Sequence, residues 1–264
     1  MVRARKRFGQ NFLTDETIID QITGRFSAAD QTIVEIGPGR GALTQRLLMT
    51  QAQVIALELD RDLIPLLQKQ FANFENLTLH QTDALKFDFT SLEDKAPLRL
   101  VGNLPYNVAT PLIFRLLDHL SLIQDMHFML QWEVVARLSA KAGDKLYGQL
   151  SVVVQNLCES NILLEVPPAS FDPAPKVNSG VIHLQPRPTP IVPEARQLIF
   201  NNLVKTAFAQ RRKTLRNNLK GLLTEKQIID VGIDPSLRAE VLEITQFAEL
   251  SRACLLYTSD AADE

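Results

Sequence analysis

The sequence predicts an α/β fold: a mostly parallel sheet with an antiparallel edge, followed by a small all-helical domain. Three observations carry that reading. Short β-branched runs alternate with amphipathic stretches from residue 33 to about residue 130, prolines crowd residues 186–193, and the chain beyond them has helical periodicity only.

The strands come in order. Ile33-Val34-Glu35-Ile36 is the first, Val54-Ile55-Ala56-Leu57-Glu58 the second, and Leu77-Thr78-Leu79-His80 the third. Leu98-Arg99-Leu100-Val101 is the fourth and Met126-His127-Phe128-Met129-Leu130 the fifth. Amphipathic stretches at about residues 42–50, 61–73 and 109–120 separate them. Strands separated by helices imply parallel neighbours joined by right-handed crossovers. Ser151-Val152-Val153-Val154 and Gly180-Val181-Ile182-His183-Leu184 then follow with no full helix between them, which predicts antiparallel strands at the sheet edge. Pro186, Pro188, Pro190 and Pro193 cannot continue either kind of element and form a stiff connector. The expected boundaries are therefore a sheet domain over residues 1–185, a helical domain over 186–253, and a tail, 254–264, that breaks the preceding pattern and reads as non-native.

Composition excludes several classes. With 45% hydrophobic residues and a net charge of -2, the chain has the apolar content to fold. Two cysteines, Cys158 and Cys254, make no disulfide scaffold, and Cys158, among strand residues, suits a buried structural role. No uncharged apolar run of membrane-spanning length occurs, and the basic start lacks the apolar core of a secretion signal, so a cytoplasmic protein is expected. His80, His119, His127 and His183 are scattered, and no metal-ligand spacing is legible.

The near-zero net charge conceals local excess. Residues 196–220 hold Arg196, Lys205, Arg211, Arg212, Lys213, Arg216 and Lys220 and no acid. On one continuous helix over 203–222, Lys205, Arg212, Arg216 and Lys220 share a stripe opposite Leu203, Ala207, Leu215, Leu219 and Leu222. Such a stripe reads as a phosphate-binding face, with Arg211 either marking a break in the helix or snorkelling from its apolar side. Arg3, Arg5, Lys6 and Arg7 form either a second basic arm or a solubilising end.

The first strand ends in Gly37-Pro38-Gly39-Arg40-Gly41-Ala42 and the second in Glu58, 21 positions after Gly37. Glycines admit a sharp turn and close approach of a ligand to the backbone, and a carboxylate at that spacing can take both hydroxyls of a ribose. This describes a nucleoside site without separating a nicotinamide dinucleotide from S-adenosylmethionine. Asp83, after the third strand, is either a partner for an adenine amine or a plain turn aspartate.

The sharpest signal is Gly102-Asn103-Leu104-Pro105-Tyr106-Asn107, at the carboxyl end of the fourth strand. An aromatic amine is a poor nucleophile because its lone pair is delocalised into the ring. Two acceptors aimed at its N–H bonds, the Asn103 side-chain oxygen and the Leu104 carbonyl, favour pyramidal nitrogen. Pro105 stiffens the turn, and Tyr106 offers a stacking face to an extruded base. Asn103 is neutral and is no general base; catalysis here is positioning.

These motifs occur in order with Phe8-Gly9-Gln10-Asn11-Phe12-Leu13, Glu58-Leu59-Asp60, Phe171-Asp172-Pro173-Ala174-Pro175-Lys176-Val177 and Gln210-Arg211-Arg212-Lys213-Thr214-Leu215-Arg216. Together they resemble the rRNA adenine dimethyltransferases, closest to the bacterial small-subunit type, over essentially residues 3–253. The resemblance implies a Rossmann-like class I methyltransferase fold. It also implies transfer of four methyl groups from S-adenosylmethionine to two adjacent adenosines near the 3′ end of small-subunit (16S) rRNA, in a ribosomal subunit precursor. A monomer is expected, with no metal and no membrane as partners.

By motif, the cofactor contacts carry over to Asn11, Leu13, Gly37, Gly39, Glu58, Asp83 and Asn103. Glu58 takes the ribose, Asp83 the adenine amine, and Asn11 and Gly37 the methionine end. Phe171 supplies a second aromatic wall beside the target base. Two positions depart from the family pattern: Trp132 stands where a lysine is expected, and Gly180 where alanine or valine is usual. Three other readings stand beside this one: an assembly factor whose binding matters more than its catalysis, a methyltransferase of large-subunit rRNA, and a nicotinamide dehydrogenase. The dehydrogenase is disfavoured because no residue near the fourth strand has an evident hydride or proton role.

Overall fold

The computed structural model describes residues 10–25 and 31–260. The basic cluster Arg3, Arg5, Lys6 and Arg7 lies outside the described residues. In chain order the elements are β1 (Phe12–Leu13), α1 (Glu16–Thr23), β2 (Thr32–Ile36), α2 (Ala42–Met49), β3 (Gln53–Glu58), α3 (Ile64–Gln70), β4 (Leu77–Gln81), β5 (Leu98–Asn103), α4 (Ala109–Leu117), β6 (Ile123–Gln131) and α5 (Trp132–Ser139). There follow α6 (Gln149–Leu157), β7 (Cys158–Val166), β8 (Phe171–Asp172), β9 (Ser179–Pro186), α7 (Gln197–Ala207), α8 (Leu215–Asn218), α9 (Glu225–Asp230) and α10 (Ile244–Asp260). Two compact units result: Met1–Val135 with Asn161–Pro186, and Ala136–Ser160 with Arg187–Glu264.

The first unit is built on a seven-stranded sheet of order β4-β3-β2-β5-β6-β9-β7. β2 pairs in parallel with both β3 and β5, β3 with β4, and β5 with β6. These are the five strands the β-branched runs predict. β9 joins antiparallel to β6, with His127 opposite His183. The order reverses between β2 and β5, so their carboxyl ends open the crevice where such sheets hold ligands. Ile33, Val34, Leu100 and Val101 are fully buried on these two strands, as strands covered on both faces require.

One pair at the far end of the sheet is polar. Arg99 and Asp125 are buried, and the guanidinium meets both carboxylate oxygens, Nε to Oδ1 and Nη2 to Oδ2, at 2.7 Å each. Nη1 donates to Gln31 Oε1 at 2.6 Å. His127 and His183 stack with centroids 4.6 Å apart, and their Nε2 atoms lie 3.6 and 3.8 Å from the Asp125 oxygens. Pairing of β6 with β9 thus brings together two histidines that sequence spacing leaves apart. Among the described residues, Asp125, His127 and His183 form the only acid–histidine group close enough for a metal ion. Arg99 already holds both carboxylate oxygens and supplies a positive charge there.

Three sequence expectations are corrected. Ser151-Val152-Val153-Val154 is not a strand but the middle of α6. The Ser151 hydroxyl accepts from Gly148 N–H at 3.1 Å, capping the helix, and donates to the Arg137 carbonyl at 2.6 Å. Three consecutive valines carry no period, so the cap and the burial of every residue of that run decided the outcome. The strand beside β9 is instead β7, whose first residue, Cys158, is fully buried with its thiol pushed up to about 12 by desolvation. Finally, residues 254–260 do not break the helical pattern: α10 runs through them to Asp260, with Ala253 and Cys254 both buried.

A two-stranded sheet that the sequence did not signal pairs β1 with β8, setting Leu13 opposite Phe171 and Phe12 opposite Asp172. Among the described residues, no helix is long and apolar enough to cross a membrane.

Candidate active site

The bend after β2 follows from its glycines. Gly37 and Gly39 have φ of +69° and +60°, in the left-handed region. A Cβ on Gly39 would also stand 3.0 Å from the Phe12 ring, so β1 lies directly over the bend. Arg40 fixes that closure. Its guanidinium stacks 4.3 Å from the Phe12 ring centre and pairs with Asp172 of β8 at 2.9 Å.

Glu58, at the end of β3, is buried and reaches back to the bend. Oε2 accepts from Gly39 N–H at 3.1 Å and Oε1 from Asp60 N–H at 2.8 Å. Desolvation raises its pKa, and these two backbone donors oppose the rise. Gln10 Nε2 donates to Asp60 Oδ2 at 3.1 Å, tying the segment before β1 to the same edge. Glu35, buried beneath the bend, is pushed up to about 7 by desolvation; the Thr44 hydroxyl, at 2.6 Å from Oε2, pulls the other way, and the charge of Glu58 adds to the rise.

The Asn103 turn sits at the carboxyl end of β5. Leu104 N–H donates to the Met129 carbonyl of β6 at 3.0 Å, while Val108 and Ala109 N–H both donate to the Pro105 carbonyl, leading straight into α4. Asn103 Nδ2 donates to the Asn11 carbonyl at 2.9 Å. That bond uses one of the two N–H groups of the amide, whose Oδ1 is the acceptor end. Tyr106 is partly exposed, and its hydroxyl lies 3.5 Å from Ser179 Oγ.

One cavity joins the bend to the turn. Its walls include Asn11, Leu13, Gly37, Gly39, Glu58 and Asp83 on one side, and Asn103, Leu104, Pro105, Tyr106 and Phe171 on the other. Every residue the sequence singles out for the cofactor or the transfer step therefore lines the same space. Asp83 Oδ1 also accepts from Leu85 N–H at 2.9 Å, so it shapes its own turn while facing the cavity. Phe171 is buried and is placed there by β8 pairing with Leu13. Sequence reasoning missed Gln10, Glu35, Asp60, Leu59 and Leu85 as cavity residues. An acid interrupting an otherwise apolar strand was a usable signal for Glu35; Leu59 and Leu85 carry none of their own.

The donor set fits a charged nucleoside. Carboxylates at Glu58 and Asp83 match ribose hydroxyls and a purine amine, and the exposed Leu59 gives apolar surface between them. A parallel sheet opening at its switch point onto such a cavity, with an Asn-Leu-Pro-Tyr turn at the mouth, defines a Rossmann-like methyltransferase.

Comparison with known sequences makes the assignment specific. The chain belongs to the ribosomal RNA adenine dimethylase family, whose profile matches residues 1–254. It is 53% identical over 251 residues to the ribosomal RNA small subunit methyltransferase A of Saccharophagus degradans, and 51% identical to the protein of that description from Pseudomonas putida; each match covers 94% of both chains. Among solved structures, it is similar to a dimethyladenosine transferase from Plasmodium falciparum, with a TM-score of 0.77 and 25% identity over 95% of this chain and 98% of that one. The 23S rRNA methyltransferase ErmE shares the fold, with a TM-score of 0.74 and 22% identity over 92% of this chain and 99% of that one. The protein is an rRNA adenine dimethyltransferase, and its methyl donor is S-adenosylmethionine.

Glu58→Gln is expected to raise the dissociation constant for S-adenosylmethionine about ten-fold. On the reading that Glu58 takes the ribose, a charged acceptor for two hydroxyls is lost, at about 1.5–3 kcal/mol for a hydrogen bond to a charged group. Calorimetric titration checks this; unchanged affinity would remove Glu58 from the ribose.

Proposed function

We infer that this chain dimethylates the exocyclic amines of two adjacent adenosines near the 3′ end of small-subunit rRNA, acting on a subunit precursor in the cytoplasm during ribosome biogenesis. The observation that carries the chemistry is the single cavity shared by the glycine bend and the Asn103 turn. The small-subunit target is supported by relatives about half identical along nearly the whole chain, rather than by anything in the cavity.

S-adenosylmethionine supplies an electrophilic methyl on a sulfonium. Glu58 and Asp83 hold the nucleoside, with Asn11, Leu13, Gly37 and Gly39 around the rest of the molecule. Asn103 Oδ1 and the Leu104 carbonyl accept the two N–H bonds of the target amine, freeing its lone pair. Tyr106 and Phe171 enclose the base, which has left its stack. Glu35 is buried behind the bend and is no proton acceptor for the amine. The proton leaves to water after transfer, because the methylated amine is acidic.

The second unit carries the RNA. Its basic stretch is not one helix: α7 ends at Ala207, turns occupy residues 208–213, and α8 begins at Leu215. The sorting by face nevertheless holds on both sides of the break for all but Leu222, which is 37% exposed. Leu203, Ala207, Leu215 and Leu219 are fully buried, while Lys205, Arg211, Arg212, Lys213, Arg216 and Lys220 are exposed. Arg211 lies in the break and neither snorkels nor projects freely. It pairs with Glu240 at 3.1 Å and donates to the Lys145 carbonyl. Arg216 and Lys220 share a shallow bowl with Asn217, Thr224 and Gln227. Replacing both cations with Ala is expected to weaken RNA binding at every sequence and to lower the slope of log K against log salt by about two. A titration series in salt reads this; an unaltered slope would move the phosphate contacts elsewhere.

The reading is tested by offering labelled S-adenosylmethionine with unmodified small or large subunits. Label entering small-subunit RNA is expected. Label entering only large-subunit RNA, or neither, would overturn it.

A further inference from the structure

Arg40 belongs to the cofactor bend by position, yet its side chain reaches out of it. The residue stands between Gly39 and Gly41, whose φ of +60° and +83° carry the backbone round the turn. Its guanidinium lies over the Phe12 ring, 4.3 Å from the centre, and meets Asp172 Oδ2 at 2.9 Å. Phe12 and Asp172 are direct partners in the β1–β8 ladder. One cation therefore holds both members of a single cross-strand pair. The Phe12 ring also packs on the bend itself, where a Cβ on Gly39 would come within 3.0 Å of it.

The other pair of that ladder is Leu13 with Phe171. Successive side chains of a strand point to opposite faces, so Arg40 grips one face of the ladder and Phe171 stands on the other. A ladder of two residues per strand is too short to fix its own position. Thr14 N–H and hydroxyl both donate to the Ser170 carbonyl, at 2.9 and 3.2 Å, and Ser170 Oγ donates to Asp15 at 2.9 Å. Those bonds join the two strands to each other. Gln10 and Asn11 tie β1 to Asp60 and Asn103. The Arg40 contacts are different in kind, because they tie the ladder, β8 included, to the bend. An ion pair whose side chains are 25% and 62% exposed counts for little alone. Here the same guanidinium is also stacked on a ring, so its two contacts together fix both the direction and the distance of the ladder.

We propose that Arg40 is a positioning residue for the target base. By clamping the β1–β8 ladder to the bend that holds the methyl donor, it sets how far the Phe171 wall stands from that donor. The inference rests on the RNA-methylating function argued above, in which Phe171 encloses the extruded base. Misplacing a reacting partner by about 1 Å can cost about 10²-fold in rate, so a side chain that never touches the amine can still govern transfer.

The test uses the full chain with labelled S-adenosylmethionine and unmodified small subunits. Arg40→Met keeps an unbranched apolar stem and removes the cation. It is expected to lower kcat about ten-fold, with S-adenosylmethionine affinity within about three-fold, which also shows that the variant is folded. Arg40→Lys keeps the charge but not the flat face, and Asp172→Asn keeps the shape but not the charge. Each is expected to lose about three-fold in kcat. The decisive comparison is made in a Phe171→Ala background. With the wall gone, Arg40→Met is expected to change kcat by less than about two-fold further, because the two residues act through one path. Phe171→Leu gives the same comparison with more of the core volume kept. Losses that multiply in the double variants would overturn the proposal, as would wild-type kcat in Arg40→Met or a fall in cofactor affinity as large as the fall in kcat. Transfer by the wild type to large-subunit RNA alone would overturn the small-subunit reading, and the same variants scored on that RNA would still decide the role of Arg40. Transfer to neither RNA would overturn both.

Discussion

Asn103→Ala is expected to lower kcat for methyl transfer by about 10²–10³-fold. The loss follows from what the amide does in the structure. Its Nδ2 donates to the Asn11 carbonyl at 2.9 Å, which holds the amide at the cavity wall, and Oδ1 is the acceptor that this reading gives to the target amine. A preorganised polar group aimed at charge that develops only during reaction is worth that much when removed. Binding of S-adenosylmethionine should change far less. The variant also breaks the bond to Asn11, a neutral hydrogen bond worth about 0.5–1.5 kcal/mol, so affinity should fall by about two- to ten-fold. Single-turnover transfer rates beside calorimetric binding separate the two. Equal losses in both would make Asn103 a cofactor ligand and nothing more.

Asp125→Ala is expected to cost about 3–5 kcal/mol of stability in denaturant titration. The variant leaves the Arg99 guanidinium buried without its carboxylate. Arg99→Met with Asp125→Leu should recover most of that loss, because the pair's own attraction is largely offset by the cost of burying it. The pair also sets an acid dependence. Desolvation alone would raise the Asp125 carboxyl, but the paired hydrogen bonds from Arg99, helped by the nearby His127 and His183 rings, outweigh it and hold the group well below the usual carboxylate range. Its stabilising contribution is therefore complete above the unfolded value of about 3.9 and declines as pH falls below it. Asp125→Asn should flatten that acid limb while lowering stability at neutral pH. A variant as stable as wild type at pH 7 would show that the sheet does not depend on the pair. Glu35 has the opposite sign. Its raised pKa of about 7 makes the folded state relatively more stable at low pH, and that advantage fades as pH climbs through 7.

What could be read from the sequence was local. Strands β2 to β6 announced themselves because each β-branched run is bounded by turn or helix signals. The glycine bend, Glu58 and the Asn103 turn stood out because their chemistry is carried within a few consecutive residues. The run at 151–154 misled because three valines in a row fit either element, and a serine cap with a partner 14 residues away chose the helix. The break after Ala207 showed only as the misfit of Arg211 on the apolar side, because no glycine or proline marks it and the spacing of the buried leucines survives across it. Contacts between distant segments left no trace: Asn103 with Asn11, Leu13 beside Phe171, Arg99 on Asp125, and Trp132 over Gly180 all depend on strand order. Trp132 and Gly180, which the resemblance alone singled out, were visible as letters, and only the sheet showed that they touch.

The central claim is that a neutral asparagine turn, opening onto the same cavity as the nucleoside bend, presents an adenine amine for methylation. Mass spectrometry of nucleosides from small-subunit RNA treated with the wild-type protein tests it most directly. The account predicts adenosine carrying two methyl groups on its exocyclic nitrogen, at two neighbouring positions. Methyl groups found on a ring nitrogen, on the ribose or on another base would contradict it.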